Sequence, residues 1–368
     1  MVVIAYGVCS EGMGHATRSK EVISALLSKG HTVHIFTSDS AYTYLSSFFD
    51  NVHEIKGFHL VYKDNKLLRF VSTIKILGQI PLKTFPTVKI MARKFSEIKP
   101  EVIISDHEVF SSLLGDYIGI PVISTSNISI VDKTKTELRA YPLSKFLTRA
   151  VDKLSNFRAK YFIIPTFFYP SVKRNNVILT SPVVRDEVRR LTPSVGNHIL
   201  VYHTSKDCLS LLKELKGLKE ECRIYGFGKQ PSTKYMKYFA FSKSQFLEDL
   251  ASAKAVITGG GFSLISESLY LKKPLLSLPL QGHYEQLTNA FYIQKSKFGE
   301  WMHVASKEVV VDFLLKRPFY EHYLQKYEFD SEEYTKTITS LVSRISKPYK
   351  STIRVKLLSI ISGGYFEK

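Results

Sequence analysis

The sequence predicts an α/β protein of two doubly wound parallel domains in tandem, and three observations carry this. Short apolar runs alternate with helical patterns along most of the chain, a glycine-rich turn follows a strand in each half, and a proline- and glycine-bearing stretch separates the halves. At 368 residues the chain is long for one ordinary core and suits two domains of about 150 to 200 residues. With 44% hydrophobic and 23% charged residues its composition is globular.

Residues 2–6, 7–14, 16–28 and 31–36 read in turn as strand, glycine-rich turn, helix and strand, a βαβ unit. Further strands are expected at 102–105, after the helix-breaking Lys99-Pro100, and at 121–124. The pattern restarts with short apolar runs at 198–202, 221–225, 255–258 and 274–278. Between the halves, Pro182, Pro193 and Gly196 interrupt any sustained period. The expected organisation is a first domain over 1–180, a linker over 181–196, a second domain over 197–345, and a basic tail over 346–368 that could pack back on the first domain.

The longest apolar runs fall far short of the ~20 residues that span a bilayer, so neither a signal peptide nor a transmembrane helix is expected. Cys9, Cys208 and Cys222 are widely spaced, and none lies in a C-x-x-C pair or beside a histidine at metal-ligand spacing. They read as unpaired thiols of a reducing cytoplasm.

The first glycine turn ends Gly12-Met13-Gly14-His15 and opens a helix, which leaves backbone N–H groups at a helix N-terminus. A dinucleotide-binding turn would carry a third glycine where this chain has Thr17. His15 sits on the C-terminal edge of a parallel sheet, where ligands of such sheets bind, and is suited to take a proton. An acidic partner would fix its tautomer, and Asp106, at the same edge after strand 102–105, is the candidate. A helix N-cap is the alternative role for Asp106.

The second turn, Thr258-Gly259-Gly260-Gly261-Phe262-Ser263, runs from a strand into a helix that carries Glu267. Backbone amides there can meet a pyrophosphate, and Glu267 can accept from ribose hydroxyls. Gln281, Glu285, Gln286 and Asn289 follow within the next strand, loop and helix, a polar cluster suited to a polyhydroxylated ligand.

Gly-Met-Gly-His near the start, then Gly-Gly-Gly-Phe-Ser-x-x-x-Glu and Pro-x-x-Gly-His-x-Glu-Gln-x-x-Asn-Ala in the second half, resemble the GT-B glycosyltransferases. The similarity is greatest to the group joining MurG-type N-acetylglucosaminyltransferases with UDP-glycosyltransferases (family 28-like), and it covers nearly the whole chain. It implies two Rossmann-like domains facing across a cleft, and inversion at the anomeric carbon with His15 as base and Asp106 orienting it. It further implies a nucleotide-sugar donor, UDP-linked, on the second domain. Gly260, Gly261, Phe262 and Ser263 would meet its diphosphate, Glu267 its ribose, and Gln281, Glu285 and Gln286 its sugar. Phe241 and Ser242 would lie near the base and Thr204 near a phosphate, while Gly12 and Gly14 form the acceptor-side turn. The usual proline after the Gly-His turn is absent, as is a uracil-stacking tryptophan, since Trp301 is the only one. No Asp-x-Asp occurs, so neither a metal nor any other cofactor is expected.

The formal charge of +18 favours an anionic partner. Between Leu67 and Lys99 seven cations (Arg69, Lys75, Lys83, Lys89, Arg93, Lys94, Lys99) face Glu97 alone. Between Lys133 and Lys160 eight (Lys133, Lys135, Arg139, Lys145, Arg149, Lys153, Arg158, Lys160) face Glu137 and Asp152. Cations interleaved with apolar residues on the acceptor-side domain fit peripheral contact with an anionic membrane on the inner face of the cell, where a lipid-linked hydroxyl acceptor would be met. Solvated helix faces are the plain alternative, and nucleic acid lacks any supporting motif. Two rival functions stay open at this level: a sugar-nucleotide epimerase of the same fold, and a non-enzymatic nucleotide-sugar-binding protein.

Overall fold

The computed structural model describes residues 1–57, 62–63, 66–67, 85–156, 158–203, 209–228, 230–240 and 242–349. Thr204, Phe241, Arg69, Lys75, Lys83 and most of the basic tail lie outside them.

The first sheet contains β1 (Val3–Val8), β2 (Thr32–Thr37), β3 (Val52–Glu54), β6 (Val102–Asp106), β7 (Val122–Ser124), β8 (Tyr161–Pro165) and β9 (Val177–Thr180), all parallel, in the order β3-β2-β1-β6-β7-β8-β9. A short antiparallel pair, β4 (Tyr62–Lys63) with β5 (Lys66–Leu67), stands apart. The second sheet contains β10 (His198–Tyr202), β11 (Glu221–Tyr225), β12 (Met236–Phe239), β13 (Ala255–Thr258), β14 (Leu275–Ser277) and β15 (Gly299–Trp301), also all parallel, in the order β12-β11-β10-β13-β14-β15. Strands covered on both faces read as continuous apolar runs rather than alternating ones, which is why they stand out in the sequence.

β1 makes the alternation of its side chains plain. Ile4, Tyr6 and Val8 point into a core shared with helix Met13–Ser28, while Ala5 points into the core on the other face. Gly7 is needed for close approach, because a Cβ there would stand 2.1 Å from Ser111 Oγ and 2.9 Å from Glu108 Oε2. Glu108 caps helix Val109–Ile118 by accepting from the N–H groups of Phe110 and Ser111. That cap role belongs to Glu108 and not to Asp106, which is the last residue of β6.

In both sheets the strand order reverses direction beside the first strand of the domain: between β1 and β6 in one, between β10 and β13 in the other. At such a switch point the loops leaving adjacent strands diverge and open a crevice. The helix after β1 carries His15 in its first turn and the end of β6 carries Asp106; the loop after β13 carries the triple glycine.

The return of the chain to the first domain comes earlier than expected. Helix Glu333–Ile345, expected within the second domain (197–345), buries Tyr334, Ile338, Leu341, Val342 and Ile345 against Val2, Ile4, Tyr6 and helix Met13–Ser28. Its apolar residues recur every three or four positions and need an apolar face, which the first sheet supplies. Tyr334 Oη donates to the Thr125 carbonyl at 2.7 Å, just below the crevice. Among the described residues no helix is long and apolar enough to cross a membrane.

Candidate active site

His15 is the third residue of helix Met13–Ser28, and Gly12 precedes it with φ 79, a backbone conformation that suits glycine. The ring is buried, with Nδ1 2.8 Å from Asp106 Oδ1. The two residues that the sequence pairs across 91 positions are thus in contact, joined through the parallel pairing of β1 with β6. Cys9 N–H donating to the Asp106 carbonyl at 3.0 Å ties the two strand ends together.

Asp106 is fully buried and holds more than the histidine. Arg18 donates from Nε to Oδ2 at 2.7 Å and from Nη2 to Oδ1, and Ser19 Oγ donates to Oδ2 at 3.1 Å. Burial by itself would raise the Asp106 carboxyl, but Arg18 and then His15 outweigh it and hold the group well below the usual carboxylate range. A buried charge so compensated stays ionised at every working pH.

Arg18 was not singled out from sequence. It lies three residues after His15, so the two share one helix face, a spacing that could have pointed to it. Its Nη1 donates to Asn127 Oδ1 at 2.6 Å, and Asn127 Nδ2 donates to Glu285 Oε1 at 2.6 Å. A continuous chain therefore runs from His15 and Asp106 through Arg18 and Asn127 to Glu285 on the opposite domain. His107, half-buried with φ 60, stacks beside His15 with ring centroids 6.1 Å apart. Burial, followed by the charge of His15, pushes the His107 ring down to about 3, so it stands there as a neutral imidazole.

On the second domain, Gly261 is the N-cap of helix Phe262–Tyr270 and has open space where a side chain would be. Gly260 differs, since a Cβ there would lie 2.5 Å from both Cβ and the carbonyl of Gln286. Its lack of a side chain lets helix Tyr284–Lys295 pack against the turn, and Asn289 Nδ2 donates to its carbonyl at 3.0 Å. The turn faces its counterpart across the cleft: a Cβ on Gly14 would stand 2.7 Å from Ser263 Oγ.

Three expected donor contacts are engaged within the protein. Glu267 is buried and forms a forked ion pair with Arg185, at 2.5 and 2.7 Å. Gln286 Oε1 accepts from Leu280 N–H at 3.0 Å, which fixes the loop after β14, while Glu285 takes the Asn127 contact above. Gln281 is exposed on that loop, and Ser242 is exposed as the N-cap of helix Lys243–Ser252. Phe262 is buried and stacks with Phe167 of the first domain at 6.4 Å. Arg185 follows Pro182 in a stretch without periodicity, and nothing in its local sequence marks it.

A family model described as glycosyl transferase family 1 matches residues 2–318. The chain belongs to this family. The glycosyltransferase is similar to an uncharacterized glycosyltransferase of Methanosarcina mazei, 24% identical over 344 residues, which cover 83% of this chain and 86% of the relative. Its fold is that of the solved glycotransferase of kitacinnamycin, with TM-score 0.69 at 15% identity over 94% of this chain and 99% of the other. It is also that of Acinetobacter baumannii MurG, with TM-score 0.57 at 14% identity over 93% and 99%. The two facing parallel domains are those of a GT-B glycosyltransferase, as the motif resemblance implied.

Proposed function

We propose that this glycosyltransferase moves a sugar from a UDP-linked donor to a hydroxyl of a lipid-linked acceptor, with inversion, without a metal, at the inner surface of the cell membrane. The observation that carries the chemistry is the buried contact of His15 with an ionised Asp106 at the switch-point crevice. In this reading His15 Nε2 takes the acceptor proton as the acceptor oxygen bonds to the anomeric carbon. The bond from that carbon to the diphosphate oxygen breaks, and the pair of electrons leaves on the nucleotide. Asp106 stabilises the imidazolium, and the free N–H groups at the start of helix Phe262–Tyr270 face the leaving diphosphate. The absence of an Asp-x-Asp pair supports the metal-free reading.

The UDP donor rests on resemblance to the UDP-glycosyltransferase group, and the lipid acceptor on the concentration of cations in the first domain. A panel of nucleotide sugars screened by thermal shift, followed by transfer to extracted lipids, tests both. His15→Ala should abolish transfer while leaving the nucleotide-induced shift in place. Transfer that persists in both His15→Ala and Asp106→Asn overturns the proposed base.

A further inference from the structure

Helix Pro142–Ser155 is turned inside out relative to an ordinary surface helix. Its buried positions are the polar Ser144, Asp152 and Ser155. Asp152 is fully buried and accepts from Ser129 Oγ at 2.6 Å and Asn156 Nδ2 at 2.8 Å. The outward stripe holds Leu143, Phe146, Ala150 and Leu154, which are three or four residues apart and therefore on one face. Leu143 is 69% exposed, Phe146 67% and Leu154 60%. The neighbouring helix Val109–Ile118, packed beside it, adds exposed Leu113 and Tyr117.

Arg149 and Lys153 flank this apolar stripe on the helix, and Arg139 is exposed just before it. Lys145, on the inner side, donates to the Leu138 carbonyl at 3.3 Å, and Lys173 donates to the Asp132 carbonyl, yet both feel the charge of Arg149. Of the nearby acids, Asp132 is paired with Lys133 and reached by Arg149 at 4.0 Å, Glu137 is paired with Lys295, and Asp152 is buried beside Lys133 at 3.7 Å. A protein partner of ordinary composition would complement an apolar stripe alone, whereas a stripe edged by cations matches an acyl-chain boundary beneath anionic headgroups.

We propose that helix Pro142–Ser155 is the surface on which the protein docks to an anionic lipid bilayer, lying in the membrane plane with Leu143, Phe146 and Leu154 inserted. The docking is independent of the chemistry proposed above, but it deepens that reading by placing the bilayer beside the cleft. Asn127 holds Arg18 and Ser129 holds Asp152, so a single residue, Ile128, separates the catalytic chain from the contact to the docking helix.

The test is flotation of the full chain with vesicles of phosphatidylglycerol and phosphatidylcholine against vesicles of phosphatidylcholine alone. Binding to the anionic vesicles should exceed binding to the neutral ones about tenfold or more and fall with salt. The triple variant Leu143→Ser/Phe146→Ser/Leu154→Ser should lose that binding with melting temperature and UDP-induced thermal shift unchanged. Failure of the parent chain to float, or flotation of the triple variant at the parent's level, overturns the proposal. So does a parent chain that is dimeric without lipid and becomes monomeric in the variant, since the stripe would then cover a second copy. Transfer to a soluble acceptor reads the proposed chemistry separately, so its loss without loss of flotation strikes only that reading.

Discussion

Arg18 Nη2 lies 2.7 Å from His15 Nδ1, and both side chains converge on one oxygen, Asp106 Oδ1. Nδ1 can donate to Asp106 or accept from Arg18, but it cannot do both. A base acting through Nε2 needs its proton on Nδ1, so the guanidinium decides how much of the histidine is ready. Arg18 is thus a positioning residue, and Asn127, which holds it from one side and Glu285 from the other, links it to the donor domain.

Replacing Arg18 separates its two roles. In Arg18→Gln, Asp106 keeps only His15 and Ser19, and loss of one partner of a buried pair is expected to lower stability by about 3 kcal/mol. The tautomer of His15, read by nitrogen NMR shifts of the ring, should move toward the Nδ1–H form. Arg18→Lys should recover part of the stability but not the forked contact with Asp106 and Asn127. An unchanged tautomer in Arg18→Gln would remove the positioning role and leave a structural one.

The two adjacent glycines of the second turn should respond oppositely to a methyl group. Gly260→Ala drives a carbon into the Gln286 backbone at 2.5 Å, and displacing a packed helix costs about 1 to 3 kcal/mol. Gly261→Ala meets open space at an ordinary φ of −69. Its methyl would project toward the proposed diphosphate, so the melting temperature should hold while the donor KM rises. Equal loss of stability in both variants would contradict this division.

Much of this was legible before the fold was known, for a physical reason. Fully buried parallel strands leave uninterrupted apolar runs, so β10, β11 and β13 match the sequence reading at both ends, and β1, β6 and β14 differ by one or two residues. His15 and Asp106 were paired by the rule that strand ends of one sheet share an edge, with no knowledge of strand order beyond parallel neighbours. Residues acting through long-range contact were not legible. Arg185 reaches Glu267 from 82 positions away, and Asn127 reaches Glu285 from 158. The return of helix Glu333–Ile345 was missed because an amphipathic stripe tells that a helix is covered, not which domain covers it.

The Arg185–Glu267 fork predicts a non-additive pair. Arg185→Ala leaves a nearly buried carboxylate alone and should cost about 3 kcal/mol or more. Adding Glu267→Gln should recover most of that, a coupling that a double-mutant cycle of melting free energies measures directly. If Glu267 also accepts from the ribose in the donor complex, Glu267→Gln alone should show a smaller UDP-induced thermal shift than the parent. A full UDP shift in that variant would confine Glu267 to the ion pair.

The acid limb of the stability curve follows from a second histidine pair, remote from the catalytic one. His34 Nδ1 lies 3.2 Å from His53 Nε2 with the rings stacked at 5.5 Å. Burial, then Lys94 and the neighbouring histidine, push His53 down to about 4, and burial with Lys94 lowers His34 as well. An unfolded histidine titrates near 6.5, so between about 6.5 and 4 the unfolded chain takes up protons that the folded chain refuses. Stability contributed by these rings is therefore complete above about pH 6.5 and is lost progressively as the pH falls toward 4. His107, pushed down to about 3 mainly by burial, adds a loss of the same sign. Melting temperature should drop between pH 7.5 and pH 5, and His53→Phe, which keeps a ring against Phe36, should shrink that drop while His107, His198 and His203, all lowered chiefly by burial, sustain the remainder. An acid limb identical in the parent and in His53→Phe would show that the His34–His53 pair takes no part in it.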